Sequence, residues 1–97
     1  MHSITNADPD QQAKQQRFLQ LLDPVHDRLA RFSHAMTRNR EEARDLVGET
    51  LLAAYEHFGD LKDTSAFASW LFTIARRIYR HQYRRGKLFG EYNEQHA

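Results

Sequence analysis

The chain has 97 residues, 40% of them apolar, and its 14 Lys and Arg nearly balance 13 Asp and Glu, leaving a formal net charge of +1. That length holds one small domain with a modest core. The absence of cysteine excludes a disulfide framework and thiolate metal sites, and four glycines with two prolines are too few for an all-β fold of tight turns.

The opening stretch, MHSITNADPDQQAKQQ, has no apolar segment of signal-peptide type, and no apolar run approaches membrane-spanning length, so a cytoplasmic chain is expected. Residues 1–9 read as a flexible tail. Asp8-Pro9 is a helix-start signal, with an acceptor at the cap and proline in the first turn. The helix that follows, to Leu22, carries its apolar residues (Phe18, Leu19, Leu21, Leu22) at its end. Asp23-Pro24 repeats the signal, with Asp23 as the cap of a second helix over residues 24–37 whose stripe is Val25, Leu29, Phe32 and Met36. After the turn Arg38-Asn39-Arg40, Asn39 caps a third helix, and Glu42 sits where a capping-box acid belongs. Ala43, Leu46, Val47, Thr50, Leu51, Ala54, Tyr55 and Phe58 keep helical spacing along it. Gly59 is the glycine expected just past its end. A polar connection leads to Thr64 or Ser65, either of which can cap a last helix over residues 64–87. The expected architecture is all-α: a bundle of three to four helices, the last two forming a hairpin.

The small net charge hides a segregation. Residues 41–63 carry seven acids against Arg44 and Lys62, a net −5, whereas residues 64–90 carry six Arg or Lys and no acid, a net +6. The two segments either pair with each other or face different partners. In the last helix Phe67, Trp70, Leu71, Ile74 and Ile78 share one side. Arg76, Arg77, Arg80, His81, Arg84 and Arg85 follow, with Phe72, Tyr79 and Tyr83 among them. Such a face suits a polyanion with stackable bases. It also suits a solvated helix whose positive end lies where the macrodipole favours it. In the third helix Glu41, Asp45 and Glu49 line up as an acidic stripe, readable as a solvated face or as a docking surface for a basic partner.

Nothing points to catalysis. The six histidines (His2, His26, His34, His57, His81, His96) form no i, i+4 pair, and there is no HExxH, glycine-rich phosphate loop or nucleophile elbow. Neither a cofactor nor a metal site is expected.

Two stretches carry a resemblance: DLVGETLLAAYEHF, residues 45–58, and SAFASWLFTIARRIYRHQYRR, residues 65–85. The ordered pair D-L-V-x-E-T and S-x-F-x-x-W-L-F-x-I-A-R resembles the second conserved region of extracytoplasmic-function sigma factors, in the sigma-70 family of bacterial transcription initiation factors. The likeness extends back through FLQLLDPVHDRLARFSHAMTRNREEARDLV and covers residues 18–85.

The resemblance implies a domain over residues 10–87, with residues 88–97 beginning a linker. It implies that Asp45, Leu46, Glu49 and Thr50 dock on the clamp helices of the RNA polymerase β′ subunit. It implies that the −10 promoter element is held as single-stranded non-template DNA, with a base drawn into a pocket. The DNA residues would be Lys62, Asp63, Thr64, Ser65 and Phe67 in the loop, then Phe72, Arg76, Arg77, Tyr79, Arg80, His81, Tyr83 and Arg84. An anti-sigma factor is an implied partner, and the isolated domain is expected to be a monomer. The spacing of Trp70 with Phe67, Leu71 and Ile74 favours the core over DNA. The chain departs from the pattern at Gly48, where glutamine is usual, at Arg77, where asparagine is usual, and at His81, where aspartate is usual. A mid-helix glycine costs ~1 kcal/mol against alanine. Sigma factors of this group carry a C-terminal helix-turn-helix domain beyond the linker. The alternative function is a sigma-like decoy that sequesters an anti-sigma factor, but a decoy has no need of a basic, aromatic last helix.

Overall fold

A computed structural model describes residues 9–84. The expected Asp8 cap, Arg85 and most of the tail and linker residues lie outside them. The described chain is all-α: α1 (Pro9–Leu22), α2 (His26–Thr37), α3 (Arg40–Glu56) and α4 (Phe67–Ile78), with 3-10 turns at Asp23–Val25, Phe58–Asp60 and Thr64–Ala66. None of the described helices is long and apolar enough to cross a membrane.

The helix junctions depart from sequence expectation in three places, at Asp23, Gly59 and the cap before α4. Asp23 does not cap α2. The preceding Leu22 keeps helical angles, so the chain runs from α1 into the Asp23–Val25 turn and α2 begins only at His26. Pro24, which lacks an N–H, interrupts the α-helical bonding there. At the α2 end Arg38 adopts a left-handed conformation (φ 56°), and its N–H donates to the His34 carbonyl at 2.7 Å. Asn39 does cap α3: its Oδ1 accepts from the Glu42 N–H at 2.9 Å. At the α3 end the expected glycine cap is replaced by the Phe58–Asp60 turn, and no described glycine has a positive φ. The cap before α4 is Asp63, whose Oδ1 accepts from the Ser65 hydroxyl at 2.7 Å and the Ser65 N–H at 3.0 Å.

The core is drawn from all four helices. Leu29, Leu46 and Leu71, one each from α2, α3 and α4, are fully buried. Each such leucine contributes about 1.5–3 kcal/mol relative to an exposed one. Phe18 fastens α1 to this core through T-shaped contacts with Tyr55, Phe58 and Phe67, at ring-centroid distances of 5.3, 5.3 and 5.7 Å. α3 packs against both α2 and α4. Between α2 and α4, Arg28 lies over Phe72 and Arg76 over Phe32, so the two helices meet in the same order and run parallel. That direction follows from two successive reversals, at Arg38-Asn39 and at the Phe58–Ala66 connection.

The last helix is not uniform. After Ile78 it continues as a π-helical turn, Tyr79–Arg84, that reaches α2. In a π turn each residue advances by a smaller rotation than in an α-helix. Tyr83 is thereby swung back toward the bundle, where a regular helix would leave it nearer solvent.

Candidate nucleic-acid interface and docking helix

α3 carries the acidic stripe, and the core-facing side of the helix decides which of its residues are available. Asp45 is exposed and Glu49 half-buried. Leu46 and Thr50, expected as polymerase contacts, are both 0% exposed. They are core residues, because their three- and four-residue steps with Ala43 and Ala54 point them inward. The stripe has a different apolar member. Leu52 is 63% exposed, three residues after Glu49 and four before Glu56. A leucine lying off the apolar stripe of an amphipathic helix was the signal available in the sequence.

α4 shows the same division. Phe67, expected at DNA, is 3% exposed and packed on Phe18 and Phe58, so no base can stack on it in the folded domain. Trp70 is half-buried against Phe67, at 5.8 Å between ring centroids, as its spacing suggests. Arg76, Arg77, Arg80 and His81 are exposed and Tyr79 is half-buried. Arg84 falls within the π turn. Phe72 is half-buried. Its ring lies 5.1 Å from Phe32, with the Arg28 guanidinium 5.6 Å above it. Arg76 lies over Phe32 at 5.9 Å. Two guanidinium groups from two helices are thus laid on two rings, an arrangement that steadies them, and both arginines remain exposed. Arg28 and Phe32 are an i, i+4 pair on α2, a helix whose charge the sequence pattern did not single out.

The loop residues Lys62, Asp63, Thr64 and Ser65 are exposed. The Ser65 hydroxyl, and then its N–H, hold the Asp63 carboxyl below its usual range. Beside this loop is a pocket of about 260 Å³ lined by Phe58, Leu61 and Thr64, with Lys14 and Arg17 of α1 at its edge. The Arg17 guanidinium lies 5.9 Å over the Phe58 ring.

A polar contact ties the acidic stripe of α3 to the turn that follows α4. The Tyr83 hydroxyl donates to Glu49 Oε2 at 3.3 Å. Partial burial, and then the negative charges of Glu49 and Asp45, push the Tyr83 phenol up to about 12. Among the described residues no ion pair joins the acids of α3 to Arg76, Arg77 or Arg80. The ion pairs seen among the described residues are His26–Asp27 and His57–Asp60. No three His, Asp or Glu side chains converge as metal ligands among those residues.

Comparison with known proteins accounts for this architecture. The family model for sigma-70 region 2 matches residues 21–88. The chain is 39% identical over 57 residues to the ECF RNA polymerase sigma factor EcfG of Rhodopseudomonas palustris (strain TIE-1). That match covers 59% of this chain and 32% of the relative, so the chain spans about a third of the relative's length. No solved structure matches. The family is one of non-enzymatic transcription initiation factors. With its residues from Leu21 onward through α2, α3 and α4 inside the family match, the chain belongs to the sigma-70 region 2 family.

Proposed function

We propose that the domain serves transcription initiation by binding two macromolecules at once, core RNA polymerase through α3 and the −10 element through α4. The observation that carries this reading is the unpaired segregation of charge: adjacent helices of opposite sign whose acids and arginines make no ion pairs among the described residues. Charge left unneutralised within the fold is available to partners, where it steers association and fixes register. On the polymerase side Asp45 and Glu49 meet basic groups of the β′ clamp helices, and Leu52 supplies the apolar anchor that a charged stripe alone lacks.

On the DNA side Arg76, Arg77, Arg80 and Arg84 bind phosphates of the non-template strand, joined by Arg28 from α2. His81 adds a donor, and Tyr79 offers a ring at the edge of the same face. Tyr83 acts in the second rank by tying the turn to α3. Stacking is worth ~1–3 kcal/mol per base. Extruding a base costs a few kcal/mol. The pocket beside Lys62, Asp63, Thr64 and Ser65 receives that base, with Phe58 as its floor and Arg17 beside it. An anti-sigma factor that covers either face would silence the domain.

The test is binding of single-stranded −10 DNA by the domain and by the quadruple variant Arg76→Ala, Arg77→Ala, Arg80→Ala, Arg84→Ala. Loss of four phosphate contacts should flatten the salt dependence of log K by about 2.8 and remove measurable binding, with the circular dichroism spectrum unchanged. Undiminished binding by the quadruple variant would mean that α4 is not the DNA face.

A further inference from the structure

Residues 9–20 of α1 precede the family match, which begins at residue 21, yet the polar side of the helix is held against the end of α3. The Tyr55 hydroxyl donates to Gln11 Oε1 at 3.4 Å. One turn on, the Lys14 ammonium lies 4.3 Å from the Tyr55 ring centroid, and the Arg17 guanidinium lies 5.9 Å from that of Phe58. Lys14 and Arg17 are three residues apart and share a face. They form one wall of the pocket of about 260 Å³ whose other side is Leu61 and Thr64. No carboxylate belongs to that lining. The acids close by in the chain are engaged elsewhere or stand outside it. Asp60 Oδ2 is 3.4 Å from His57 Nδ1, and Asp60 lines a separate hollow with Trp70 and Arg77. Asp63 Oδ1 accepts from the Ser65 hydroxyl and N–H. Asp10, one turn before Lys14, is not part of the lining. The four cation–ring contacts among the described residues thus fall into two pairs: Arg28 and Arg76 at the α4 face, Lys14 and Arg17 at this pocket.

We infer that α1 is part of the nucleic-acid interface, and that Lys14 and Arg17 bind the phosphates flanking the base held in this pocket. The inference rests on the reading of the pocket as the base site, and it adds a helix that neither the charge segregation nor the family match assigns. A cation already laid on a ring has given up rotamer freedom, so binding a phosphate orders it at less cost. Extruding a base from its stack is unfavourable, and contacts at the pocket must offset it. A strand passing between α1 and the loop meets cations on one side and the apolar surface of Leu61 on the other, the pairing of charge and apolar surface that single strands use. Phosphates carry no sequence information, so the two cations supply affinity and register rather than base choice. If they served only to brace Tyr55 and Phe58, their removal would lower the thermal midpoint and leave the salt dependence of binding alone.

The experiment uses the whole 97-residue chain and a fluorescein-labelled oligothymidylate, whose phosphates need no promoter sequence to be bound. Anisotropy is titrated over a range of salt for the parent, for Lys14→Gln with Arg17→Gln, for the charge-keeping Lys14→Arg with Arg17→Lys, and for the quadruple alanine variant of α4. Glutamine keeps the helix propensity of α1. Loss of two phosphate contacts should flatten the slope of log K against log salt by about 1.4 and weaken binding at least about tenfold near 0.1 M salt. The charge-keeping variant should retain the parent's slope. Amide chemical shifts should locate the oligonucleotide at Lys14, Arg17, Leu61 and Thr64 of the parent. An unchanged slope in the folded glutamine variant, a lowered thermal midpoint without loss of binding, or no shift at those amides would overturn the inference and leave the α4 face standing. Absent binding by the parent, or undiminished binding by the quadruple variant, would overturn the DNA reading itself and the inference with it.

Discussion

Helices α3 and α4 are neighbours of opposite charge, and both are two-faced in the same way. Each turns its buried residues inward: Ala43, Leu46, Thr50 and Ala54 from α3, Phe67, Leu71 and Ala75 from α4. They differ in how their outer faces are held. The α3 stripe is sparse, with Asp45 exposed, Leu52 bare and Glu49 half-covered by Tyr83. The α4 face is braced from below, because Arg28 and Arg76 rest on the Phe72–Phe32 pair. An exposed acidic stripe suits capture of another protein's basic surface. Fixed guanidinium groups suit a backbone of regularly spaced phosphates. The contrast also explains the limited internal pairing: an exposed ion pair is worth only about 0–1 kcal/mol to folding, so little stability is forgone by keeping both charges free.

The largest expected effect separates the core of α4 from its reading face. Phe67→Ala should destabilise the domain by about 3–5 kcal/mol in urea unfolding, since the ring packs on Phe18 and Phe58. A loss within 0.5 kcal/mol, about the range of surface substitutions, combined with weakened DNA binding would return Phe67 to the DNA face. Leu52→Ala should do the converse on α3. Stability should stay within about 0.5 kcal/mol, while affinity for the β′ clamp helices falls by more than about 1 kcal/mol.

Thr50→Val tests the inner side of α3. The Thr50 hydroxyl is buried and has no hydrogen-bond partner, so valine should stabilise by about 1 kcal/mol and leave polymerase affinity unchanged. The smallest effect concerns the contact between the two helices. Tyr83 is raised to about 12 in the folded domain, against about 10 for an unfolded tyrosine. Its favoured form is the neutral one, so its contribution is fully present below pH 10 and is lost as pH rises toward 12. Ultraviolet titration of the parent against Tyr83→Phe should show one phenol ionising late. Glu49→Gln should bring that phenol back toward its ordinary range.

Most of the fold is legible in the sequence because helical periodicity reports burial directly. The stripes Val25–Leu29–Phe32–Met36 and Phe67–Leu71–Ile74 all turn toward the core to some degree. The junctions are less legible. Asp23 is the expected cap of α2 and Thr64 or Ser65 that of α4, but the residue that caps is Asp63, which is itself in an extended conformation and whose side chain accepts from the Ser65 N–H. The site is legible as charge and illegible as partnership. Helical spacing already sets Leu46 and Thr50 with Ala43 and Ala54 on the inner side of α3, where they are buried; it is the resemblance that gives them to the polymerase. The pairing of Arg28 with Phe72 joins residues far apart in the chain, and no local pattern announces it. The π turn that carries Tyr83 to Glu49 has no sequence signature in this chain.

The measurement that bears most directly on two separable faces is a crossed binding experiment. Asp45→Lys and the quadruple Arg76, Arg77, Arg80 and Arg84 alanine variant are each titrated with the β′ clamp-helix fragment and with single-stranded −10 DNA, after the parent domain has given a measurable signal in both. The account predicts a double dissociation: Asp45→Lys loses the polymerase fragment and keeps DNA, and the alanine variant loses DNA and keeps the fragment. Parallel losses in both variants, or no loss in either, would contradict it.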